Sequence, residues 1–512
     1  MLNIKNFLLK HYRLISFISG GIAVLALPPF YNVWVLFISF GFLLWFVNFL
    51  RNSKHIFKCG YYWGFAYFAF GLGWINNALL LDADRFGWLV PISFVASGLF
   101  FGLFIAIPVW LSSFFNNVFS RYWGLATLLV LFEWLRSFVL TGFPWNLFGS
   151  VLAFSDELMQ IADIFGVYGL SWMVLIVAMS PLLFMVVSGW NKVLAVIIPL
   201  ILCGCGYCYG KEKLANYSSE ESEVVVRLVQ PAIPQTLKWN PALLEENLNQ
   251  YIKLSQLPAD KKLDFIIWGE TAFPYSLQHD MYHRLQLKYA IPQDGFLVTG
   301  GIRYGLDGNG QYSVYNSMFV VNENADLLDY YDKSHLVPFG EYVPLREFLP
   351  DWLQPIASQI GNFSSGNGFR AIEVLDKPKF GGLICYEVIF PHQITNPNDR
   401  PQWIVNLTND GWYGDSAGPY QHLVSARMRA VEEGITIVRV AGSGISALIA
   451  PTGVVIRQIP LGEAGVLDVS LPKDMSFNTV YAKYGNIIIL GWCSLIFVLC
   501  LLLNIRTKVL GE

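Results

Sequence analysis

Charged residues are scarce in this sequence. Aspartate, glutamate, lysine and arginine together make up 14% of the 512 residues, whereas hydrophobic residues make up 54%. Ordinary soluble domains contain about 25% charged residues, so the composition excludes a soluble protein of that kind. The formal net charge is only -3, which gives no reason to expect nucleic acid or another polyanion as the partner. The composition instead predicts a membrane protein.

Cysteine is nearly absent from the polar stretch 210–483, in which Cys385 is the only thiol. A single cysteine cannot form an internal disulfide. The other six cysteines lie in or beside apolar segments, and the group from Cys203 to Cys208 has no neighbouring histidine or carboxylate. Packing between helices therefore explains this group better than a metal site does. We expect neither a metal nor a cofactor.

Long apolar stretches, in contrast, are plentiful. A transmembrane helix needs roughly 20 mostly apolar residues. Seven such stretches precede residue 210 and an eighth follows the polar stretch, although the first is short. The sequence thus predicts a membrane domain over 1–209, a polar domain over 210–483 and a final helix with its tail over 484–512. The eight predicted spans are 14–27, 33–50, 60–80, 88–114, 123–140, 166–187, 193–209 and 484–503.

The lysines and arginines between these spans predict the orientation of the chain. Cations concentrate in cytoplasmic loops. They occur before the first predicted span and in every second loop after it, whereas the intervening loops are poor in them. Both termini are therefore predicted to be cytoplasmic, and seven crossings place the polar domain outside. The cations that set this orientation are Lys5, Lys10, Arg13, Arg51, Lys54, Lys58, Arg121, Lys192, Arg506 and Lys508.

In the polar domain, short apolar runs alternate with amphipathic stretches, a pattern that predicts a mixed α/β fold. Two helices are predicted. One covers 241–255, with Asn240 as its cap and Pro241 in its first turn, and the other covers 421–433 and is ended by Gly434. Strands are predicted at 224–229, 265–268, 296–299, 313–321, 380–385, 403–407, 436–440 and 445–450.

Three segments of this domain end in reactive side chains, namely Glu270, Lys333 and Cys385. Open α/β sheets usually place their sites at strand ends. A carboxylate can accept the thiol proton, an ammonium can stabilise an oxyanion, and a thiolate can attack a carbonyl carbon. Each residue also has a structural explanation, as a helix cap, a solvated cation or a small buried apolar residue. Together the three predict an acyl-transfer site without a metal or cofactor.

Four motifs surround these residues: WGETAFP, YDKSHLVPFGEYVP, GGLICYEVIFP and LTNDGWYGDSAGPYQH. They closely resemble the apolipoprotein N-acyltransferase family, the membrane-bound branch of the carbon-nitrogen hydrolase (nitrilase) superfamily. The predicted spans and the GFPWN loop at 142–146 are similar as well. The resemblance implies a multi-pass α-helical membrane domain and an exported α/β domain of nitrilase type, an α-β-β-α sandwich. One departure is the turn 441–444, where an asparagine is expected.

The resemblance also implies a role for individual residues. Glu270, Lys333 and Cys385 match the catalytic triad of the family. Glu270 would act as base and then as acid, Lys333 would stabilise the oxyanion, and Cys385 would be the nucleophile. Supporting or substrate-binding roles are implied for Glu341, Tyr386, Glu387, Trp239 and Asn316.

The implied reaction has two steps. Cys385 takes a fatty acyl chain from the sn-1 position of a phospholipid, with phosphatidylethanolamine as the expected donor, and forms a thioester. The N-terminal α-amine of S-diacylglyceryl cysteine on an apolipoprotein then accepts the chain, which completes lipoprotein maturation. An α-amine has a pKa of about 7.7 to 8.0, so part of it is neutral and nucleophilic near neutral pH. The implied location is the bacterial inner membrane, with the catalytic domain in the periplasm.

Two other functions fit part of the sequence. A membrane-anchored amidase or nitrilase would use the same triad but transfer the acyl group to water, and eight spans argue against it. A transporter would carry paired charges or broken helices within its spans, where Glu133 and Arg136 are among the few candidates. We expect a structural role for this pair, although it could contact a lipid head group. The segment 351–368 could be a mobile apolar lid or a static loop.

Overall fold

The structure is a computed structural model that describes residues 2–218, 220–306, 310–344 and 363–510. The chain forms two compact units. Met1–Asn76, Asp82–Asn216 and Thr479–Glu512 make up the first, which we call the helical unit. Asn77–Leu81 and Tyr217–Asn478 make up the second, which we call the sheet unit.

The α-helices of the described residues fall mainly in the helical unit, where the sequence is apolar over long runs. In chain order they are α1 (Leu2–Lys10), α2 (Tyr12–Ala23), α3 (Val35–Phe49), α4 (Ser53–Gly71), α5 (Asn76–Leu80), α6 (Ala83–Phe86), α7 (Val90–Ser112), α8 (Val118–Arg136), α9 (Asp156–Met159), α10 (Ala162–Val186), α11 (Trp190–Asn216), α12 (Gln235–Lys238), α13 (Leu244–Ser255), α14 (Met281–Gln286), α15 (Ala417–Glu433), α16 (Val480–Tyr484) and α17 (Ile487–Leu510). Helices α12 to α15 belong to the sheet unit.

Within the described part of the chain, five helices are long and apolar enough to cross a membrane. A sixth is possible if α1 and α2, which are bent by 82° at their junction, count as one span. Helix α3 is apolar but has only 15 residues, and α4, which overlaps the predicted span 60–80, is not among the five. The total of eight spans therefore stays a prediction. The five helices are Ala83–Ser112, Val118–Arg136, Ala162–Val186, Trp190–Asn216 and Ile487–Ile505.

Two ionisable residues of α8 hold the neighbouring loop of the helical unit. Oε1 of Glu133 accepts a hydrogen bond from the backbone N–H of Phe148 at 2.7 Å. Nη1 of Arg136 donates to the carbonyl oxygens of Phe143 and Trp145 at 2.6 and 2.8 Å. Both side chains are buried. These contacts support the structural role expected for the pair, because they fix the loop that contains the GFPWN motif.

The cysteines of α11 differ from the prediction. Cys205 and Cys208 are exposed, and Cys203 is half-buried. The expectation that this group packs between helices is therefore wrong for two of its three members. A run of small residues along one helix predicts close packing only where a second helix covers that face, and the sequence of α11 alone does not specify its neighbours.

In its described residues, the sheet unit contains two six-stranded sheets with similar strand arrangements. The strand order is β12-β1-β2-β3-β4-β5 in the first sheet and β11-β10-β9-β8-β7-β6 in the second. Three central strands are parallel in each sheet, and antiparallel strands complete both edges. The strands are β1 (Glu221–Gln230), β2 (Phe265–Trp268), β3 (Phe296–Leu306), β4 (Tyr312–Asn322), β5 (Leu327–Asp332), β6 (Ala371–Ile372), β7 (Phe380–Ile384), β8 (Trp403–Thr408), β9 (Thr436–Ala441), β10 (Ser446–Ile449), β11 (Val455–Ile459) and β12 (Gly465–Pro472).

An apolar core lies between the two sheets. Phe265 of the first sheet and Trp403 of the second meet there, with ring centroids 5.6 Å apart. Helix α13 packs against the other face of the first sheet through Leu248 and Tyr251, and α15 packs against β9. Burying both faces of a sheet in this way explains why its central strands are continuously apolar. The layers agree with the nitrilase-type sandwich that the resemblance implies.

All eight predicted strands correspond to observed strands, whereas β5, β6, β11 and β12 were not predicted as strands. The end of α15 is confirmed, since Gly434 follows it with a φ of 59°. Helix α13 begins at Leu244, so the prediction that Pro241 occupies its first turn is wrong. Oδ1 of Asn240 accepts instead from the N–H of Ala242 at 3.1 Å, and this local turn delays the start of the helix.

Candidate active site

Cys385 lies in a sharp turn at the end of β7. The strand stops at Ile384, and Cys385 begins a short 3-10 helix, Cys385–Ile389. The φ of Cys385 is 50°, a conformation that is unfavourable for any residue with a side chain. The predicted strand 380–385 is therefore one residue too long. Sγ of this buried residue lies 3.8 Å from the hydroxyl oxygen of Tyr413.

Glu270 and Lys333 follow β2 and β5, and a buried polar cluster joins them. Nζ of Lys333 lies 2.9 Å from Oε1 of Glu341 and 3.6 Å from Oε1 of Glu270. Asn316, on β4, donates from Nδ2 to the same oxygen of each carboxylate, at 3.0 Å for Glu341 and 2.8 Å for Glu270. Lys333 is only 1% exposed. The structure thus brings four of the predicted site residues together.

The charges of this cluster act on the thiol. Burial and, next, the negative charge of Glu270 raise the pKa of Cys385 to about 12, although the positive charge of Lys333 opposes the shift. Burial alone would lower the pKa of Lys333, but the carboxylates of Glu341 and Glu270 outweigh burial and raise it. The ammonium therefore stays charged, whereas the thiol keeps its proton near neutral pH until a base removes it.

Glu387 ties the loop after β5 to the end of β7. Its Oε1 accepts from the backbone N–H groups of Ser334 at 2.7 Å and His335 at 3.1 Å. Its Oε2 accepts from the N–H of Ile384 at 2.7 Å. Burial raises the pKa of this fully buried carboxyl, although the N–H donors oppose the shift. The contacts of Glu387 indicate that it orients the main chain on both sides of the site.

Tyr386 and Trp239 occupy different surroundings. Tyr386 is buried and packs edge-on against the stacked rings of His335 and Phe390, with centroid distances of 5.7 and 5.1 Å. Trp239 is half-buried and lines a shallow cleft. Thr271, the residue after Glu270, lines the same cleft. Trp239 is therefore close to the polar cluster, whereas Tyr386 is packed among aromatic rings next to Cys385.

Sequence reasoning missed Lys238, which contacts the turn at Glu270. Its Nζ donates to the carbonyl oxygen of Glu270 and to Oγ1 of Thr271, both at 2.8 Å. Burial lowers the pKa of Lys238 to about 8, although the charges of Glu270 and Cys385 oppose the shift. The signal that could have found it was its position directly before Trp239. Tyr413 was likewise not singled out, although a quoted motif contains it.

The predicted lid is only partly within the described residues. Residues 351–362 lie outside them. In the remaining part, the N–H of Phe363 donates to the carbonyl of Glu341 at 3.1 Å, and the N–H of Gly366 donates to the carbonyl of Lys333 at 2.8 Å. This end of the segment is therefore attached to the main chain of the polar cluster.

Comparison with known proteins gives the family. Residues 225–476 match the family model for carbon-nitrogen hydrolases, and residues 19–180 match that for the apolipoprotein N-acyltransferase N-terminal domain. An apolipoprotein N-acyltransferase of Rhodopseudomonas palustris is 35% identical over 509 residues, which cover 95% of this chain and 94% of that protein. This chain belongs to the apolipoprotein N-acyltransferase family. It is therefore an enzyme, an acyltransferase whose sheet unit has the carbon-nitrogen hydrolase fold.

A second curated relative agrees with this membership, and one solved structure shows a weak likeness. The apolipoprotein N-acyltransferase of Rickettsia typhi is 34% identical over 478 residues, covering 93% of this chain and 95% of its own. An amidase from Nesterenkonia sp. AN1 covers 54% of this chain and 98% of its own at 17% identity, with a TM-score of 0.38. The family and the five apolar helices of the described residues are consistent with a membrane-bound enzyme.

Proposed function

We propose that this chain transfers a fatty acyl chain from the sn-1 position of a phospholipid to the N-terminal α-amine of S-diacylglyceryl cysteine on an apolipoprotein. The proposed donor is phosphatidylethanolamine. The observation that carries the proposal is the burial of Cys385 within reach of the charges of Glu270 and Lys333, in a chain of the apolipoprotein N-acyltransferase family. No metal or cofactor takes part in the proposed chemistry.

In the first step, Glu270 accepts the thiol proton and Sγ of Cys385 attacks the ester carbonyl carbon. The thiol needs this base because its pKa is raised to about 12. The ammonium of Lys333 stabilises the oxyanion that forms. The tetrahedral intermediate then expels the glycerol oxygen, which takes the proton from Glu270. A thioester and a lysophospholipid result.

In the second step, the neutral α-amine of the acceptor attacks the thioester carbonyl carbon. Glu270 accepts a proton from the attacking nitrogen, and Lys333 again stabilises the oxyanion. The C–S bond breaks, the sulfur of Cys385 recovers its proton from Glu270, and the acyl chain is left on the acceptor as an amide. Burial of the thiol and the ammonium favours the amine over water, since it limits access of solvent to the thioester.

The supporting residues have separate roles in this proposal. Glu341 holds Lys333 through the 2.9 Å ion pair, and Asn316 orients the carboxylates of both Glu341 and Glu270. Tyr386 and Glu387 shape the turn of Cys385 through packing and hydrogen bonds. Trp239 contacts substrate from the cleft that it lines.

We further propose a location in the bacterial inner membrane, with eight spans and a periplasmic catalytic domain. The alternation of cation-rich and cation-poor loops supports this orientation. The proposed domains are 1–209, 210–483 and 484–512. The longer segment of the sheet unit, Tyr217–Asn478, supports the second of these, although Asn77–Leu81 also belongs to that unit.

Intact mass spectrometry after incubation with phosphatidylethanolamine vesicles alone tests the two-step scheme. We expect the mass of one fatty acyl group on the wild-type protein, mapped to Cys385, and none on Cys385→Ser. Cys59→Ser is a matched control, because Cys59 is also a buried thiol but lies in α4. A diacylglyceryl lipopeptide added next should remove the acyl adduct from Cys385, and the mass of the lipopeptide should increase by one fatty acyl group.

Two results would contradict the scheme. If the wild-type protein stays unmodified yet still acylates the lipopeptide, no thioester is formed. If free fatty acid is the main product in the presence of excess lipopeptide, water is the acceptor and the chain is a membrane-anchored hydrolase.

A further inference from the structure

A buried group of charged and polar residues in the sheet unit contacts the backbone of Cys385. It consists of Asp410, which follows β8, His422 of α15 and Arg439 of β9, and each is at most 1% exposed. Nδ1 of His422 lies 2.9 Å from Oδ1 of Asp410, and Nη2 of Arg439 lies 2.7 Å from Oδ2 of Asp410. A histidine that lies between a cysteine and an aspartate would ordinarily suggest a catalytic Cys-His-Asp triad.

The ring of His422 is directed at the main chain of Cys385. Nε2 lies 3.1 Å from the carbonyl oxygen of Cys385, while Nδ1 faces Asp410. A ring with a proton on Nε2 donates to this carbonyl, and its bare Nδ1 can then accept from Nη2 of Arg439, which lies 3.1 Å away. Both ring nitrogens are therefore engaged by partners other than the sulfur. This geometry fits an anchor for the backbone of Cys385 and disfavours a base for its thiol.

Asp410 is firmly held in this group. Burial would raise its pKa, but the positive charge of Arg439 lowers it below the usual range, so Asp410 is ionised. Oγ1 of Thr408 donates to Oδ1 of Asp410 at 3.0 Å and ties the carboxylate to the end of β8. The group thus reaches Cys385 through its carbonyl oxygen, and Asp410 itself is fixed by the strand next to β7.

We propose that Asp410, His422 and Arg439 form a positioning cluster that holds Cys385 in its turn and aims Sγ for attack. The inference rests on the proposed function, since it takes Cys385 as the nucleophile. The φ of 50° at Cys385 is unfavourable by itself, and such a conformation persists only when its surroundings fix it. The hydrogen bond from His422 to the carbonyl of the same residue supplies that constraint.

Two substitutions of His422 separate its two contacts. In His422→Gln, the amide nitrogen can take the place of Nε2 and donate to the carbonyl of Cys385, while the contact with Asp410 is lost. In His422→Asn, the shorter amide can take the place of Nδ1 beside Asp410, while the donor to Cys385 is lost. The two variants place the same amide group at the same buried position and differ by one methylene, so each is the control for the other, and thermal unfolding reports any cost of the smaller side chain.

We expect the rate of acyl-adduct formation on Cys385 at saturating phosphatidylethanolamine to fall about 10- to 100-fold in His422→Asn, since small misplacements of a reacting atom can cost about that much. His422→Gln should retain a rate within a few-fold of wild type. The vesicle concentration that gives half the maximal rate should stay the same in both, because the cluster acts on Cys385 and not on lipid binding. Thermal unfolding in detergent is recorded for both variants.

Three outcomes would overturn the inference. These are equal losses of rate in the two variants, a change confined to the half-saturating vesicle concentration, and a rate in His422→Asn that equals wild type. In that order, these outcomes would assign His422 a role in general stability, a role in substrate binding, or no role in the reaction. Failure of the proposed function is distinguishable, because the wild-type protein itself would then form no adduct on Cys385.

Discussion

At the scale of the residue, Glu270 has two opposing effects on Cys385. Its carboxylate is the proposed acceptor of the thiol proton, yet its negative charge also raises the pKa of that thiol. A negatively charged base close to a thiol disfavours the free thiolate. It assists the reaction only if it takes the thiol proton while the sulfur attacks the substrate. The proposed nucleophile therefore keeps its proton, and stays unreactive, until a substrate arrives.

This opposition leads to a prediction for Glu270→Gln. Formation of the acyl adduct near neutral pH should fall about 10²- to 10⁴-fold, because the base is lost. At about pH 10, where hydroxide removes the proton, alkylation of Cys385 by iodoacetamide should be faster than in wild type, because loss of the negative charge lowers the thiol pKa. Peptide mass spectrometry reads both modifications at Cys385.

The exposed Glu220 provides a control, since Glu220→Gln changes the same charge without altering the site. It should match wild type in both measurements. Alkylation of Glu270→Gln that is slower than wild type at alkaline pH would mean that Glu270 does not raise the pKa of the thiol.

At the scale of the element, the parallel pair β2 and β3 fixes the position of Glu270. The N–H of Gly300 donates to the carbonyl of Gly269 at 3.2 Å, so the two strands remain paired up to the turn. A Cβ at Gly300 would lie 2.7 Å from the Cα of Glu270 and would also overlap the backbone nitrogen of Thr271. Only glycine at this position allows the turn to pack so closely on β3.

Gly300→Ala should therefore displace Glu270. We expect a loss of about 1–3 kcal/mol in the free energy of unfolding from overpacking, and a loss of acylation rate of about 10²-fold from the displaced base. Denaturant unfolding and the rate of adduct formation measure the two effects.

Gly301→Ala is the matched control on the same strand. A Cβ at Gly301 would meet the side chain of Phe319 at 3.3 Å, and a side chain can shift where a backbone cannot. This variant should retain most of its activity. Equal activities of the two variants would show that the close approach at Gly300 does not position Glu270.

At the scale of the whole molecule, the orientation of the chain in the membrane decides which lipids and proteins reach Cys385. The scheme requires the sheet unit on the outer side, and cation-rich loops on the cytoplasmic side. Lys261 is exposed in the sheet unit and Arg51 is exposed between α3 and α4. Cysteine substitutions at these two positions therefore report opposite sides.

In intact spheroplasts, a membrane-impermeant maleimide should label Lys261→Cys and leave Arg51→Cys unlabelled. After lysis, both should be labelled, which controls for accessibility of each thiol. Labelling of Arg51→Cys alone before lysis would place the sheet unit in the cytoplasm and contradict the proposed acceptor, since an exported apolipoprotein could not reach the site.

Much of the fold could be predicted from the sequence because it depends on local periodicity. Strand β2 was predicted at its observed bounds, since four buried residues are followed directly by a glycine. Helix α15 was predicted to end where it does, because Gly434 adopts the left-handed conformation that stops a helix. The first predicted span, 14–27, stays a prediction, because α2 has only 12 residues and α1, which precedes it, is bent away from it by 82°.

The sequence by itself determined the separation into apolar and polar parts and eight of the twelve strands of the described residues, and it predicts the three reactive residues, because motifs and periodicity are local properties. Only the tertiary structure decided which side chains meet. Asn316 joins Glu270 across 46 residues of chain, and His422 reaches the carbonyl of Cys385 across 37. Such contacts depend on strand order and sheet packing, and no spacing along the chain records them.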